Sequence, residues 1–111
     1  PMSRLQIKVR RRGGVGVLEL HGRMTLGDGD EALRAAVAGM LAEELRTVVL
    51  NLHHLAYVDS AGIGEMIAAT TALAEVQGRL VLADPSPKIR DLLGRFPHVL
   101  HVVDSEEEAM R

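Results

Sequence analysis

The chain contains no cysteine, almost no aromatic residues and no excess of either charge. The absence of Cys from its 111 residues excludes disulfides, thiol catalysis and Cys-ligated metals. Tyr57 and Phe96 are the only Tyr, Phe or Trp residues, so the stacking platforms used by single-strand nucleic-acid binders are missing. The net charge is −2, from 13 basic and 15 acidic residues, which gives no electrostatic argument for a DNA or RNA partner.

Long hydrophobic runs are also missing. No run approaches the roughly 18 apolar residues that a membrane helix needs, and the first residues, PMSRLQIK, contain no apolar signal region. Hydrophobic residues still make up 47% of the chain, enough for one aliphatic core. We therefore expect a single domain over residues 1–111, located in the cytoplasm, with the basic run at residues 10–12 as the solvated end of a hairpin.

Alternating and continuous apolar patterns predict the elements of the first half. Residues 5–10 (LQIKVR) and 15–22 (VGVLELHG) flank the pair Gly13-Gly14, which predicts a β-hairpin. Apolar residues at helical spacing then predict a helix to about Glu44, which Asp28 or Asp30 could cap. The β-branched run at residues 47–52 predicts a strand covered on both faces.

The second half alternates between helix and strand. The pattern predicts helices over residues 61–76, 86–96 and 104–110, and strands over 79–84 and 99–103, with Ser86 and either Asp104 or Ser105 as caps. The order is ββαβαβαβα, which predicts an α/β domain with a mostly parallel central sheet and an N-terminal β-hairpin. Sites in such folds lie beyond the carboxyl ends of strands, where the loops at 22–29 and 55–60 could meet.

The segment YVDSAGIG, residues 57–64, carries polar and small residues but no complete catalytic motif. A nucleophile elbow, G-x-S-x-G, would need glycine in place of Val58. The dinucleotide fingerprint, G-x-G-x-x-G, would need a third glycine in place of Ile67, so nucleotide binding is left open without a motif. Of the five histidines, His53 and His54 are adjacent and the other three are scattered along the sequence. The acidic residues lack the EF-hand pattern. We predict no enzymatic activity, no metal and no cofactor.

Ser60 allows two interpretations from the residues alone. It lies at the start of a predicted helix, so its hydroxyl could cap free backbone N–H groups, which is the simpler interpretation. A phosphate on Ser60 would also lie at a helix N-terminus, where amides and the helix dipole favour an anion. The small residues Ala61, Gly62 and Gly64 leave room for a partner or a kinase to approach.

The same segment resembles the signature of the STAS domain, the family of bacterial anti-sigma factor antagonists. The pattern D-S-[SA]-G-[LI]-G stands at residues 59–64. The resemblance covers essentially the whole chain, because GRMTL, VVLNLHHLAYVDSAGIG, RLVLADPSPKIRDLL and VLHVVDSEEEAM follow in the family's order. It implies a STAS-like single domain that is not an enzyme.

The resemblance implies partner switching in transcription regulation. In the family, the serine after the aspartate is phosphorylated by the cognate anti-sigma factor, which is also a serine protein kinase, and Ser60 holds that position. The unphosphorylated antagonist binds the anti-sigma factor and so releases a sigma factor. Phosphorylation of Ser60 would block that binding, and a metal-dependent serine phosphatase would restore it. No nucleic acid and no membrane is implied as a partner.

The expected contact surface joins the helix start to the loop after the second strand. Its members are Arg23, Met24, Thr25, Leu26, Asp59, Ser60, Ala61, Gly62 and Ile63. Met24 and Leu26 are too apolar for a solvent loop, and core packing of one of them is the competing interpretation. Many family members carry an acidic residue where Thr25 stands. This departure admits an alternative, a stressosome-like or accessory STAS module that acts as a scaffold or binds a ligand without a kinase cycle.

Overall fold

The computed structural model describes residues 4–111 and contains six strands and four helices in that range. The elements run in the order β1 (Leu5–Arg12), β2 (Val15–Met24), α1 (Asp30–Ala42), β3 (Thr47–Asn51), β4 (Leu55–Val58), α2 (Ser60–Ala74), β5 (Arg79–Ala83), α3 (Pro87–Leu93), β6 (Val102–Val103) and α4 (Glu106–Ala109). The α/β class and the N-terminal hairpin are confirmed. The sequence-based order contained one strand fewer, because β4 was taken as loop.

The six strands form one mostly parallel sheet in the order β1-β2-β3-β5-β6. Only the β1–β2 hairpin is antiparallel, with Leu5 opposite Gly22 and Arg12 opposite Val15. Strand β2 is long enough to have two parallel partners in succession: Gly16 to Glu19 pair with β3, and Gly22 to Met24 pair with β4. The register shifts between Gly22 and Arg23, which is the point where β4 takes over from β3.

Alternation of side chains along the strands divides the core between the two faces of the sheet. The larger cluster contains Leu18, Val48 and Leu82 from the strands, together with buried residues of α1, α2 and α3. The smaller cluster lies on the opposite face and consists of Val17, Val49, Val81, Ala83 and Ala109. The central positions of β3 and β5, residues 48–50 and 80–83, are apolar and buried, because both faces of the sheet are covered there, as predicted for the β3 run.

Two predicted helix caps are confirmed and one is wrong. Ser86 accepts a hydrogen bond from Ile89 N, and Ser105 accepts one from Glu108 N. Helix α1 instead begins after Gly29, whose φ of 101° is left-handed, and it has no side-chain cap. The expected cap Asp28 is engaged elsewhere, since its carboxylate accepts hydrogen bonds from Arg4 N.

The basic run at the end of β1 is not simply solvated. Arg10 and Arg12 contact Glu106 of α4 at 2.6 and 2.7 Å, and Arg11 pairs with Glu43 at the end of α1. The pairs of Arg10 and Arg12 connect the hairpin to the last helix, and the pair of Arg11 connects it to α1. Within residues 4–111, no helix combines the length and apolar character needed to cross a membrane.

Candidate functional site

The pairing of β4 with the end of β2 positions the segment 57–64. Val58 lies opposite Met24, and Asp59 N donates a hydrogen bond to Met24 O at 3.2 Å. Helix α2 then starts at Ser60. The loop that follows β2 and the start of α2 therefore meet at one edge of the domain, as expected for loops that follow parallel strands.

Asp59 is the N-cap of α2, not Ser60 as the sequence suggested. Its backbone is extended, with φ −99° and ψ −176°, and its Oδ1 accepts a hydrogen bond from Gly62 N at 3.0 Å. Its Oδ2 accepts a second bond, from Leu26 N at 2.9 Å. The bond from Gly62 N, followed by that from Leu26 N, lowers the pKa of Asp59. The carboxylate is thus a fixed anion that joins the β2–α1 loop to α2.

The capping role of Asp59 leaves the hydroxyl of Ser60 available. Ser60 is the first residue of α2 and is exposed. Within residues 4–111, its Oγ has no hydrogen-bond partner. The side chain is therefore accessible to an enzyme that modifies hydroxyl groups.

The loop after β2 lies beside Asp59 and presents one exposed apolar side chain. Thr25 and Asp28 exchange two backbone hydrogen bonds of 2.9 Å, which closes a tight turn around Leu26 and Gly27. Leu26 is 77% exposed. Upstream, the Arg23 guanidinium lies 4.4 Å from the centroid of the Tyr57 ring, a cation–π geometry that covers part of that ring.

Three members of the expected contact surface are buried. Met24 is 0% exposed and belongs to the larger core cluster, so core packing holds for Met24, while Leu26 is the exposed member of the pair. Gly62 is buried and tightly packed, since a Cβ there would lie 2.5 Å from Val58 Cγ2. Ile63 is 8% exposed. The bond from Leu26 N to Asp59 Oδ2 brings the two predicted segments, residues 23–26 and 59–63, together, with Met24 and Gly62 beneath their exposed members.

An open groove of about 770 Å³ runs from Ser60 along α2 to α3. The α2 side presents one helical face, with spacing i, i+3, i+4 and i+7: Ser60, Ile63, Gly64 and Ile67. The opposite wall comes from α3 and the residues after it: Lys88, Leu92, Arg95 and Phe96. The groove thus combines apolar side chains with two cations, Lys88 and Arg95, and with Asp59 next to Ser60.

Sequence reasoning missed the α3 wall of this groove. The sequence predicted a helix in this region but not that part of it lines a groove. The structure buries Ile89 and Leu93 in the core and leaves Leu92 and Phe96 half-buried in the groove wall. The sequence offers no signal that separates a groove wall from core packing here, since Leu92 and Phe96 also pack against the larger core cluster.

The histidines lie away from Ser60, around the β3–β4 turn. The rings of His21 and His54 are stacked with centroids 4.4 Å apart, and His53 Nδ1 lies 2.9 Å from Asp84 Oδ2. In the part of the chain that the structure describes, no group of three or more His, Asp or Glu residues could hold a metal ion.

Known proteins resemble the chain over most of its length. The family described as "Mlab, STAS domain" matches residues 7–96. The "Putative anti-sigma factor antagonist BtrV" of Bordetella bronchiseptica is 35% identical over 81 residues, which cover 71% of this chain and 70% of that protein.

Two solved structures of SpoIIAA extend the similarity to the fold. The anti-sigma factor antagonist SpoIIAA in its unphosphorylated form superposes with a TM-score of 0.73 and 25% identity, covering 96% of this chain and 93% of that chain. The Bacillus cell fate determinant SpoIIAA in the phosphorylated form superposes with a TM-score of 0.70 and 25% identity, covering 96% of each chain. Sequence, fold and relatives agree, and the chain belongs to the STAS domain family of anti-sigma factor antagonists.

Proposed function

We propose that this protein is the phosphorylation-controlled member of a partner switch. As an anti-sigma factor antagonist it is a regulator and not an enzyme. In its unphosphorylated form it binds an anti-sigma factor that is also a serine kinase, and this binding releases a sigma factor. The observation that carries the proposal is the exposed hydroxyl of Ser60. Ser60 is the first residue of α2, and Asp59 already serves as the N-cap of that helix.

The phosphorylation step is a simple transfer. The γ-phosphoryl group of ATP passes from the kinase to Ser60 Oγ, a new P–O bond forms, ADP leaves, and a base of the kinase accepts the hydroxyl proton. Hydrolysis of the phosphate ester by a serine phosphatase regenerates the hydroxyl and releases inorganic phosphate. The protein is a substrate in both steps.

The phosphate acts through the charge that it adds to a contact surface. It carries about −1.5 to −2 charge at neutral pH and lies next to the anionic Asp59. Exposed Leu26 and the apolar floor of the groove are natural contacts for a partner. Like charge at such an interface costs several kcal/mol, and about 5.5 kcal/mol moves an equilibrium from 1:99 to 99:1.

The blockade is local and needs no refolding. Asp59 holds the start of α2 through two backbone N–H bonds that do not involve the Ser60 hydroxyl, so we expect them to persist when Ser60 is modified. The similarity to SpoIIAA supports this view, because its unphosphorylated and phosphorylated forms superpose on this chain almost equally well.

We also infer a cytoplasmic location, since a sigma factor and its regulators act on RNA polymerase there.

Incubation with ATP and an anti-sigma kinase from the same genome tests the modification. We expect mass spectrometry to find one phosphate, on the peptide that contains Ser60. Ser60→Ala should remain unmodified and still bind the kinase, while Ser60→Asp should bind it weakly. Thr25→Ala is the matched control, because it removes a neighbouring hydroxyl and should still be phosphorylated.

Two results would reject the switch. One is a chain that stays unmodified with every serine kinase of that kind in the genome. The other is a Ser60→Asp variant that binds as tightly as the parent protein. Either result would favour the alternative, an accessory STAS module that uses the groove between α2 and α3 for a scaffold partner or a small ligand.

A further inference from the structure

Two cations border the groove without a carboxylate partner. Lys88 and Arg95 line the wall opposite Ser60. Among residues 4–111, neither side chain takes part in an ion pair. By contrast Arg90, which lies on α3 like Lys88, pairs with Asp104 at 2.6 Å. The groove therefore has two cations without an ion-pair partner on one side, and the modifiable hydroxyl with the anionic Asp59 on the other.

The start of α2 offers little to a phosphate on Ser60. Gly62 N, one of the amides that an anion would use at a helix N-terminus, already donates to Asp59 Oδ1. Asp59 is itself a fixed anion, so it repels a neighbouring phosphate. Repulsion from Asp59 and attraction by Lys88 and Arg95 act in the same direction, across the groove.

We propose that Lys88 and Arg95 form an anion site that holds the phosphate of phosphorylated Ser60 over the groove. The inference rests on Ser60 being the modified residue, and it adds a second element to the blockade. A phosphate in this position covers the apolar floor at Ile67 and Leu92, so the partner meets a charged group where it would otherwise bury apolar side chains.

The test places phosphoserine at position 60 of the full chain by cotranslational incorporation, so that no kinase is needed. A pH titration followed by phosphorus NMR then measures the second pKa of the phosphate, which is about 6 without neighbours. Removal of both cations in Lys88→Gln/Arg95→Gln should raise that pKa by about 0.5, because nearby positive charge stabilises the dianion.

The matched control removes two cations of the same kinds elsewhere. Lys8 and Arg46 also lack an ion-pair partner within residues 4–111 and do not line the groove. Lys8→Gln/Arg46→Gln changes the net charge equally and should leave the phosphate pKa unchanged at about 0.15 M salt, where the Debye length is about 8 Å. Phosphorylation should also shift the amide signals of Ile67 and Leu92, and the groove double variant should lose those shifts.

Equal phosphate pKa values in all three proteins would overturn the anion site. The outcome is separable from that of the proposed function. An unchanged pKa together with phosphorylation-dependent loss of anti-sigma factor binding would reject the anion site and leave the switch intact. A raised pKa in the groove variant together with phosphorylation-insensitive binding would support the anion site and reject the switch.

Discussion

Asp59 is the residue on which the geometry of the site depends. Its two carboxylate oxygens accept hydrogen bonds from different parts of the chain, Gly62 N in α2 and Leu26 N in the preceding loop. The carboxylate therefore fixes the loop and the helix relative to each other. This engagement leaves the adjacent Ser60 hydroxyl free, and it gives Asp59 a structural duty beside its expected place on the docking surface.

Replacement of Asp59 by alanine should lower the free energy of unfolding by about 1–2 kcal/mol, since one N-cap bond and one loop bond are lost. This loss of unfolding free energy should be smaller at acidic pH. Because the folded-state pKa of Asp59 lies below its ordinary value, the contribution is complete above about pH 4 and disappears as pH falls through the folded-state pKa. Urea unfolding at a series of pH values measures both effects.

Asp91→Ala is the control for this prediction. Asp91 is exposed on α3 and has no hydrogen-bond or ion-pair partner among residues 4–111. Its replacement should change the unfolding free energy by no more than about 0.5 kcal/mol. If Asp59→Ala were equally neutral, the carboxylate would not hold the loop and the helix together.

The N-cap of α2 illustrates what could and could not be predicted from the sequence. Asp and Ser are about equally good N-caps, so the sequence D-S before a helix does not decide between them. The choice depends on which residue is extended, and that follows from the pairing of β4 with β2 at Met24 and Val58. The location of the site was predictable from the D-S-A-G-I-G segment, but the division of roles within it was not.

At the scale of elements, the two glycines of α2 have opposite surroundings. A Cβ at Gly62 would lie 2.5 Å from Val58 Cγ2 and 3.2 Å from Met24 O, which is too close for the rigid valine and the backbone. A Cβ at Gly64 would have no heavy atom within 4 Å. Gly62 is thus the point of closest approach between α2 and the β2–β4 pair, whereas Gly64 opens the groove.

Alanine substitutions at these two positions should change stability in opposite directions. Gly62→Ala should lower the unfolding free energy by up to about 2 kcal/mol, because overpacking costs about 1–3 kcal/mol and helix propensity returns about 1 kcal/mol. Gly64→Ala should raise it by about 0.5–1 kcal/mol. Thermal and chemical unfolding of the two variants measure the difference, and equal effects would contradict the packing described for α2.

The element missed from the sequence is the one that carries the site. Strand β4 has only four residues, and Ala56 and Tyr57 within it are exposed, so its pattern is too short to separate from a loop. Its partner is also hidden, because β2 first pairs with β3 and then with β4. The longer strands and helices were predictable because their apolar periodicity extends over many residues.

At the scale of the molecule, α4 covers the face of the sheet opposite α1 and α2. It is held there by ion pairs and hydrogen bonds as well as by apolar contacts. Glu106 of α4 accepts hydrogen bonds from Arg10, Arg12 and Asn51, which belong to two strands and lie more than 50 positions away in sequence. Its side chain is 11% exposed. The hydrogen bond from Arg10, with smaller effects of Asn51 and Arg12, lowers the pKa of Glu106 to about 2.

Glu106→Gln should lower the unfolding free energy by about 1–3 kcal/mol near neutral pH, because it removes charge-assisted hydrogen bonds at a mostly buried site. The contribution of Glu106 is complete above its ordinary pKa of 4.5 and is lost as pH falls toward 2. The difference in unfolding free energy between variant and parent should therefore decrease as the pH falls through that range. Unfolding by urea at pH 7, 4 and 3 measures it.

Glu107→Gln is the matched control in the same helix. Glu107 pairs with Arg12 and its side chain is 68% exposed, so its loss should lower the unfolding free energy clearly less than the loss of Glu106 does. Equal effects of the two substitutions would contradict the central position of Glu106. Sequence patterns gave no access to this network, since the acidic run at 106–108 suits a helix start equally well without any partner.

The central claim is that a phosphate on Ser60 controls the binding of an anti-sigma factor. The most direct test is calorimetric titration of an anti-sigma kinase from the same genome with two forms of the full chain, one with serine and one with phosphoserine at position 60. We predict a Kd at least about 100-fold higher for the phosphoserine form, a loss of about 2.7 kcal/mol, with Ser60→Ala binding like the unmodified protein. Equal affinity of the two forms would contradict the account.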